Sequence, residues 1–361
     1  MTDAAPPPVD QAVLDDLRHR LQRWRRVELT GTAGWDRGTE PGYLADLLND
    51  WATDYDWRPH EERIRALPWE PTARMRLVHQ RAADPGATAV VLLHGWPDSV
   101  LRYERVLPLL TDLHVVVPAL PGYPFAASLP ERDLSSADMA AMAEAMAELG
   151  HERYVVSGGD IGRGVATALA AQHPDRVAAL HLTDVPTGTV LAGEPAALTD
   201  DERDLRRQVE RWREAEGAYM HEQSTRPHTL AVALGDSPAG LAAWIVEKLR
   251  AWSDCGGDVE SVFPREELLT WVTAYWVTGA IGTSFAPYAR QAPPLGRIDV
   301  PTVVNQFPHD LVQAPRSVAE GLFDLRVFEH GSAGGHFAAW ECPDEFVGFV
   351  RTAVALGASA G

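Results

Sequence analysis

The sequence predicts an α/β protein with a mostly parallel central sheet, a helical lid insertion and an N-terminal arm. Three observations predict it. From about residue 74, short apolar runs alternate with helix-period segments, the pattern of a parallel sheet covered on both faces. Two of these runs, AVVLLHG (89–95) and YVVSGG (154–159), are apolar almost throughout, as strands buried on both sides must be. The alternation stops after Pro186 and resumes only near residue 300, which leaves a helical block inserted before the last strands.

The elements follow in chain order. Residues 1–73 form the arm. QAVLDDLRHRLQRWRR (11–26) has helical spacing of Val13, Leu14, Leu17 and Leu21, and GYLADLLNDWATDYDW (42–57) is helical again. The arm's tryptophans, Trp24, Trp35, Trp51, Trp57 and Trp69, suit packing against a larger body. Residues 74–186 are the first part of the core. MRLVHQ, AVVLLHG, LHVVVPAL, RYVVSGG and AALHLTD are expected strands; VLRYERVLPLL, SSADMAAMAEAMAELG and GRGVATALAAQHP are expected helices. Residues 187–295 are the lid, helical in DERDLRRQVERWREAEGAY, PAGLAAWIVEKLRAW and REELLTWVTAYWVTG. Residues 296–361 complete the core through the strands PTVVNQF and DLRVFEH and the helix ECPDEFVGFVRTAVAL. Such a lid lies over the carboxyl ends of the strands, where open α/β sheets bind ligands.

Bulk properties exclude several functions. The formal net charge of -19 over 361 residues opposes binding to phosphate backbones or anionic lipid, so neither nucleic acid nor membrane is expected as a partner. No apolar run approaches a membrane span, and the first residues lack the layout of a secretory signal, so a cytoplasmic protein is expected. Cys255 and Cys342 alone make neither a disulfide framework nor a thiolate metal site. Lys248 is the only lysine and lies in an amphipathic stretch, which argues against Schiff-base and P-loop chemistry. No cofactor and no metal are expected.

The chemistry centres on GGDIG (158–162). Glycines flank Asp160 where a strand meets a helix. A nucleophile between small residues at such a turn is an elbow that exposes one side chain above the sheet. A carboxylate there can attack carbon and form an ester. As a helix cap alone Asp160 would need no partners, and a calcium loop would need more oxygen ligands than DIGRGV offers. Partners follow in the order that hydrolases of this type use: Asp310 three residues past an expected strand, then His336 in the glycine-rich SAGGHFAAW. Upstream, the strand AVVLLHG runs into His-Gly-Trp-Pro, a turn whose amides can face a developing oxyanion. The candidate donors are the N–H groups of Trp96 and Ile161. His94, Pro97, Pro124 and Phe125 are expected around the substrate, with His94 acting mainly as a structural hydrogen-bonder.

These motifs, together with GWDRG, YLADLLNDWATDYDWRPHE, PGYPF, GAYMHEQSTRP, GDSPAGLAAWIVEKLRAW and GGHFAAWECP in order, resemble the microsomal-type epoxide hydrolase family, within the α/β-hydrolase fold, over nearly the whole chain. The resemblance implies hydrolysis of a small-molecule epoxide to a vicinal diol, without a cofactor, in a protein that commonly forms homodimers. It implies that Tyr219 and Tyr288 hold and protonate the epoxide oxygen, while Tyr275 matches a different family position. It also extends to relatives that open epoxides in natural-product assembly. Asp98 and Pro124 replace glycines common in the family. A haloalkane dehalogenase would place tryptophan after the nucleophile, where Ile161 stands. A ring-closing or non-turnover protein on this scaffold would not need the full acid–base set.

Overall fold

The computed structural model describes residues 4–30, 34–73, 75–127, 130–293 and 295–359. Residues 1–3 of the expected arm, residue 74 at the expected start of the core, residue 294 near the end of the lid and residues 360–361 lie outside the described residues.

An eight-stranded sheet is ordered β1-β2-β4-β3-β5-β6-β7-β8. The strands are β1 (Trp69–Pro71), β2 (Arg76–Gln80), β3 (Ala89–Leu93), β4 (His114–Pro118), β5 (Tyr154–Gly158), β6 (Val177–Leu182), β7 (Ile298–Gln306) and β8 (Phe323–His330). The pairs β1/β2 and β2/β4 are antiparallel and the rest are parallel. Every residue of β3, β4, β5 and β6 is buried, which is why those strands read as mostly apolar runs.

The helices are α1 (Gln11–Gln22), α2 (Pro41–Thr53) and α3 (Trp57–Arg65) in the arm; α4 (Ser136–Met139), α5 (Met142–Glu148) and α6 (Asp160–Gln172) in the core; α7 (Gly188–Ala192), α8 (Asp200–Glu216), α9 (Ala218–Thr225), α10 (Pro227–Asp236), α11 (Pro238–Trp252), α12 (Arg265–Thr278) and α13 (Ala286–Ala289) between β6 and β7; and α14 (Arg316–Leu322), α15 (Ala338–Glu341) and α16 (Pro343–Ser359) around β8. No single described helix is long and apolar enough to cross a membrane; α10 and α11 meet at 113°.

Three elements depart from expectation. VLRYERVLPLL is not an α-helix but two 3-10 turns, Val100–Tyr103 and Leu107–Leu109. Pro108 lacks the N–H that a continuing helix needs there, and Arg102 is drawn inward to a buried carboxylate. SSADMAAMAEAMAELG divides into α4 and α5, with α4 opened by a Ser135–Asp138 capping box. The sheet also starts earlier than the expected strands, because WEP (69–71) pairs with β2.

The N-terminal helices are fastened to the helices between β6 and β7. Leu14, Leu17 and Leu21 bury one face of α1. Thr39 donates to the carbonyl of Ala243 in α11 at 2.7 Å, and Arg63 of α3 grips Glu267 of α12 through two bonds of 2.8 and 2.9 Å.

Candidate active site

Asp160 opens α6 directly after β5, with φ of +53°. A non-glycine residue in that region is strained, and the surroundings must hold it there. They do so by close approach. A Cβ on Gly162 would sit 2.1 Å from the carbonyl oxygen of Leu93, so only glycine lets α6 come this near β3. A Cβ on Gly95 would sit 2.6 Å from Asp160 Oδ1, so the HGWP turn can touch the carboxylate only because Gly95 has none. The turn uses that contact: the Trp96 N–H donates to Asp160 Oδ1 at 2.8 Å. The Ile161 N–H lies in the first turn of α6, where amides have no intrahelical acceptor. The Asp160 N–H donates to Asp184 Oδ1 at 3.1 Å, and Arg163 Nε holds the other Asp184 oxygen at 2.6 Å.

His336 stands opposite. Its Nδ1 is 2.8 Å from Asp310 Oδ1, and its Nε2 is 4.0 Å from Asp160 Oδ2. Nε2 is buried and has no hydrogen-bond partner among the described residues. Burial pushes the imidazole down, but the carboxylates of Asp310 and Asp160 outweigh it and hold His336 up at about 9. At neutral pH the ring is therefore a cation between two carboxylates. Its backbone is fixed as well: the His336 N–H donates to the Trp252 carbonyl at 2.8 Å, and Arg102 Nη2 donates to the His336 carbonyl at 2.5 Å.

Lid aromatics roof the carboxylate. Tyr219 of α9 stacks on Trp96 at 5.3 Å with 7° between planes. Tyr288 of α13 meets Trp96 and Tyr219 edge-on, each at 6.0 Å. Trp252, the last residue of α11, packs against Tyr219 and the His336 ring. The Tyr288 hydroxyl is buried and faces that of Tyr219. Both phenols are raised above their ordinary value, first by burial and then by the Asp160 charge, which marks them as close neighbours of that carboxylate.

The structure thus brings together Asp160, His336, Asp310, Trp96, Tyr219 and Tyr288. Tyr275 is elsewhere, donating to the Asp98 carbonyl at 3.0 Å. His94, expected near the substrate and mainly as a structural hydrogen-bonder, makes structural contacts. It is fully buried, its Nε2 accepts the Leu120 N–H at 3.3 Å, and its Nδ1 faces Gly95 O and Asp98. Pro97 and Pro124 are buried in their turns. Phe125 leans on Trp69 and lines a cavity of about 390 Å³ under the arm with Pro6, Pro7, Trp57 and Tyr123.

Two functional arrangements were not foreseen. Asp184, just past β6, orients the elbow amide. Asp98 and Arg102 form a fully buried ion pair at 2.5 Å that spans the site. Asp98 Oδ1 accepts the Gly95 N–H at 2.8 Å, while Arg102 reaches the His336 carbonyl, so one pair braces both the HGWP turn and the histidine loop. Burial pushes Asp98 up, but Arg102 and His94 more than offset it and hold it below its ordinary value. The Asp98–Arg102 spacing of four residues was the available signal.

A parallel sheet with a carboxylate at the elbow, an Asp–His pair facing it and two phenols above defines an α/β-hydrolase equipped for alkyl-ester chemistry. Family comparisons narrow this. Residues 5–103 match the family described as epoxide hydrolase N terminus, and residues 88–225 match the alpha/beta hydrolase fold. A protein of Stigmatella aurantiaca (strain DW4/3-1) that carries the epoxide hydrolase name is 34% identical over 95% of this chain and 82% of its own length. Epoxide hydrolase 1 of Oryctolagus cuniculus is 29% identical over 94% of this chain and 87% of its own. Among solved structures, juvenile hormone epoxide hydrolase from Bombyx mori superposes with a TM-score of 0.86 at 26% identity, over 98% of this chain and 94% of that one. The epoxide hydrolase of Aspergillus niger superposes with a TM-score of 0.80 at 28% identity, over 97% and 98%. The chain belongs to the epoxide hydrolase family of the α/β-hydrolase fold. It is an epoxide hydrolase, acting on a small-molecule epoxide and water.

Proposed function

We propose that Asp160 is the nucleophile, Tyr219 and Tyr288 the acids, and His336 oriented by Asp310 the base, in the hydrolysis of an apolar or aromatic epoxide. The observation that carries this is the buried, unpartnered Nε2 of His336, 4.0 Å from the Asp160 carboxylate. A water between them would be within reach of both the imidazole and the carboxyl carbon.

Charge changes at Asp160 order the two steps. Asp160 attacks a ring carbon, the C–O bond breaks, and the alkoxide takes a proton from the phenols. Forming the ester removes the Asp160 charge. The phenols, raised by that charge, then become better acids at the moment the alkoxide forms. The His336 imidazolium, also raised by that charge, becomes a stronger acid once it is gone: its proton passes to the phenolate, which restores the phenol, and the ring becomes a neutral base. His336 then takes a proton from water, hydroxide adds to the ester carbonyl, and the Trp96 and Ile161 amides hold the oxyanion. Collapse frees the diol and restores the carboxylate–imidazolium pair. A carboxylate suits this task because its ester is hydrolysable, whereas a serine would leave an ether.

The substrate class follows from the walls. Tyr219, Tyr288, Trp252 and Phe285 surround Trp96, whose amide binds the carboxylate, and such an aromatic cluster favours apolar or aromatic substituents. A role in natural-product assembly rests on the sequence resemblance alone. The free thiols of Cys255 and Cys342 support a reducing, cytoplasmic setting.

The test is intact mass of His336→Ala after mixing with an aryl epoxide. An increase by the substrate's mass, mapped to Asp160, is expected. An unmodified protein that still consumes epoxide would overturn the assignment.

A further inference from the structure

Three histidines meet at the far end of the sheet from Asp160. His79 lies in β2, His114 opens β4, and His151 precedes β5. Catalytic groups cluster where β5 ends, so a five-residue strand, about 17 Å, separates the two places. Nothing in the hydrolysis uses these side chains.

Their arrangement is close-packed. One ring nitrogen from each lies within 4.8 Å of the others. The rings of His79 and His151 have centroids 5.1 Å apart, and those of His114 and His151 5.0 Å. The Nε2 atoms of His79 and His151 are 3.1 Å apart. Two nitrogens bound tetrahedrally to zinc at about 2.0–2.1 Å stand roughly 3.3 Å from each other, so this pair already has ligand spacing.

Tautomers are set from outside. Glu70 Oε2 lies 2.9 Å from His79 Nδ1. Accepting that N–H leaves the His79 Nε2 lone pair facing the cluster, and a carboxylate behind a histidine is the arrangement metal sites use to orient a ligand. His151 then donates its Nε2–H into that lone pair. A metal ion would replace this shared proton, with the His151 proton moving to Nδ1. His79 and His114 are buried and His151 is half-buried, which leaves one side for a fourth ligand from water. His114 must give up a contact to join: its Nδ1 accepts the Ala82 N–H at 3.1 Å, and its Nε2 has only a 3.4 Å approach to the Pro85 carbonyl.

We propose that His79, His114 and His151 form a structural site for a divalent transition metal, zinc by ligand type, oriented by Glu70 and pinning β2, β4 and the β5 approach together. The donor set of three imidazoles suits zinc over calcium or magnesium, which take oxygen ligands.

The test uses the full chain, stripped with chelator and dialysed against Zn2+. Wild type is expected to retain one equivalent per chain and to melt higher with Zn2+ than without. His151→Ala, the least buried change, is expected to hold none at the concentration that saturates wild type, with epoxide turnover unchanged. Glu70→Gln is expected to weaken binding at least about 10-fold. Co2+ alone added to stripped wild type should give the intense visible bands of a four-coordinate site. Wild type that retains no Zn2+, His151→Ala that retains as much as wild type, or Co2+ bands as weak as those of the hydrated ion would each overturn the proposal and leave a hydrogen-bonded histidine cluster. Turnover is read separately, so failure here leaves the hydrolase assignment untouched.

Discussion

Replacing Asp160 by Asn should lower the pKa of His336, and the size of the fall tests whether the nucleophile's charge controls the base. The ring stands at about 9, above its ordinary 6.5, because Asp310 and Asp160 together outweigh its burial. Unit charges at the 4.0 Å separating Nε2 from Asp160 Oδ2 interact by about 4 kcal/mol at an effective dielectric of 20, equivalent to roughly 3 pKa units. That is a ceiling, since the Asp160 side chain is 14% exposed and water screens part of it. Asp310 stays in place and keeps its share. A fall of about 1 to 2 units is therefore expected, which brings the imidazole pKa near working pH, so that a substantial share of the ring is neutral there. The assay is a pH titration of the imidazole nitrogens by NMR in 15N-histidine-labelled protein, with His336 assigned by its absence from His336→Gln. A titration midpoint in Asp160→Asn identical to wild type would refute the electrostatic coupling of the two half-reactions.

Removing the Tyr219 and Tyr288 hydroxyls together by Tyr→Phe substitution should lower single-turnover ester formation by about 10²-fold or more, measured by rapid quench, with ester hydrolysis changed far less. Arg102→Met should cost about 3–5 kcal/mol in urea unfolding, because Asp98, 0% exposed in its side chain, is left as an unpaired buried charge; Asp98→Asn in the same chain should recover part of that loss, and additivity of the two would contradict the brace. Stability also depends on His336. Its folded pKa is raised, so its contribution is complete below about 6.5 and is lost as pH rises through about 9. The loss is about 3 kcal/mol in order of magnitude, and chemical denaturation at pH 6 and pH 9.5 should show it in wild type and not in His336→Gln. Gly162→Ala should unfold or fail to accumulate, since its methyl would fall 2.1 Å from the Leu93 carbonyl oxygen.

The sheet and the elbow were legible because their physics is local in sequence. Strands buried on both faces are mostly apolar, and β3 is wholly so, while β4, β5 and β6 are broken only by His114, Ser157 and His181. The elbow needs small residues where backbones touch, and Gly158 and Gly162 record that contact. The strand WEP was missed because three residues ending in proline carry no alternation. The stretch around Arg102 reads as a helix in the sequence. Its true course depends on Asp98 and the His336 carbonyl, partners that only the tertiary fold assembles. Tyr219 and Tyr288 were reached through family resemblance, because a tyrosine on a short helix looks the same whether it packs or reacts. Asp184 looked like an ordinary turn carboxylate after a strand, and its bond to the Asp160 amide crosses between neighbouring strand ends.

Oxygen tracing reaches the central claim most directly. Enzyme in excess over epoxide is allowed one turnover in 18O-labelled water, digested, and the Asp160 peptide weighed. If water attacks the ester carbonyl, one heavy oxygen enters the Asp160 carboxyl group and the first diol carries none. Heavy oxygen found in the diol, with Asp160 unlabelled, would mean that water opened the ring itself and that no ester ever formed.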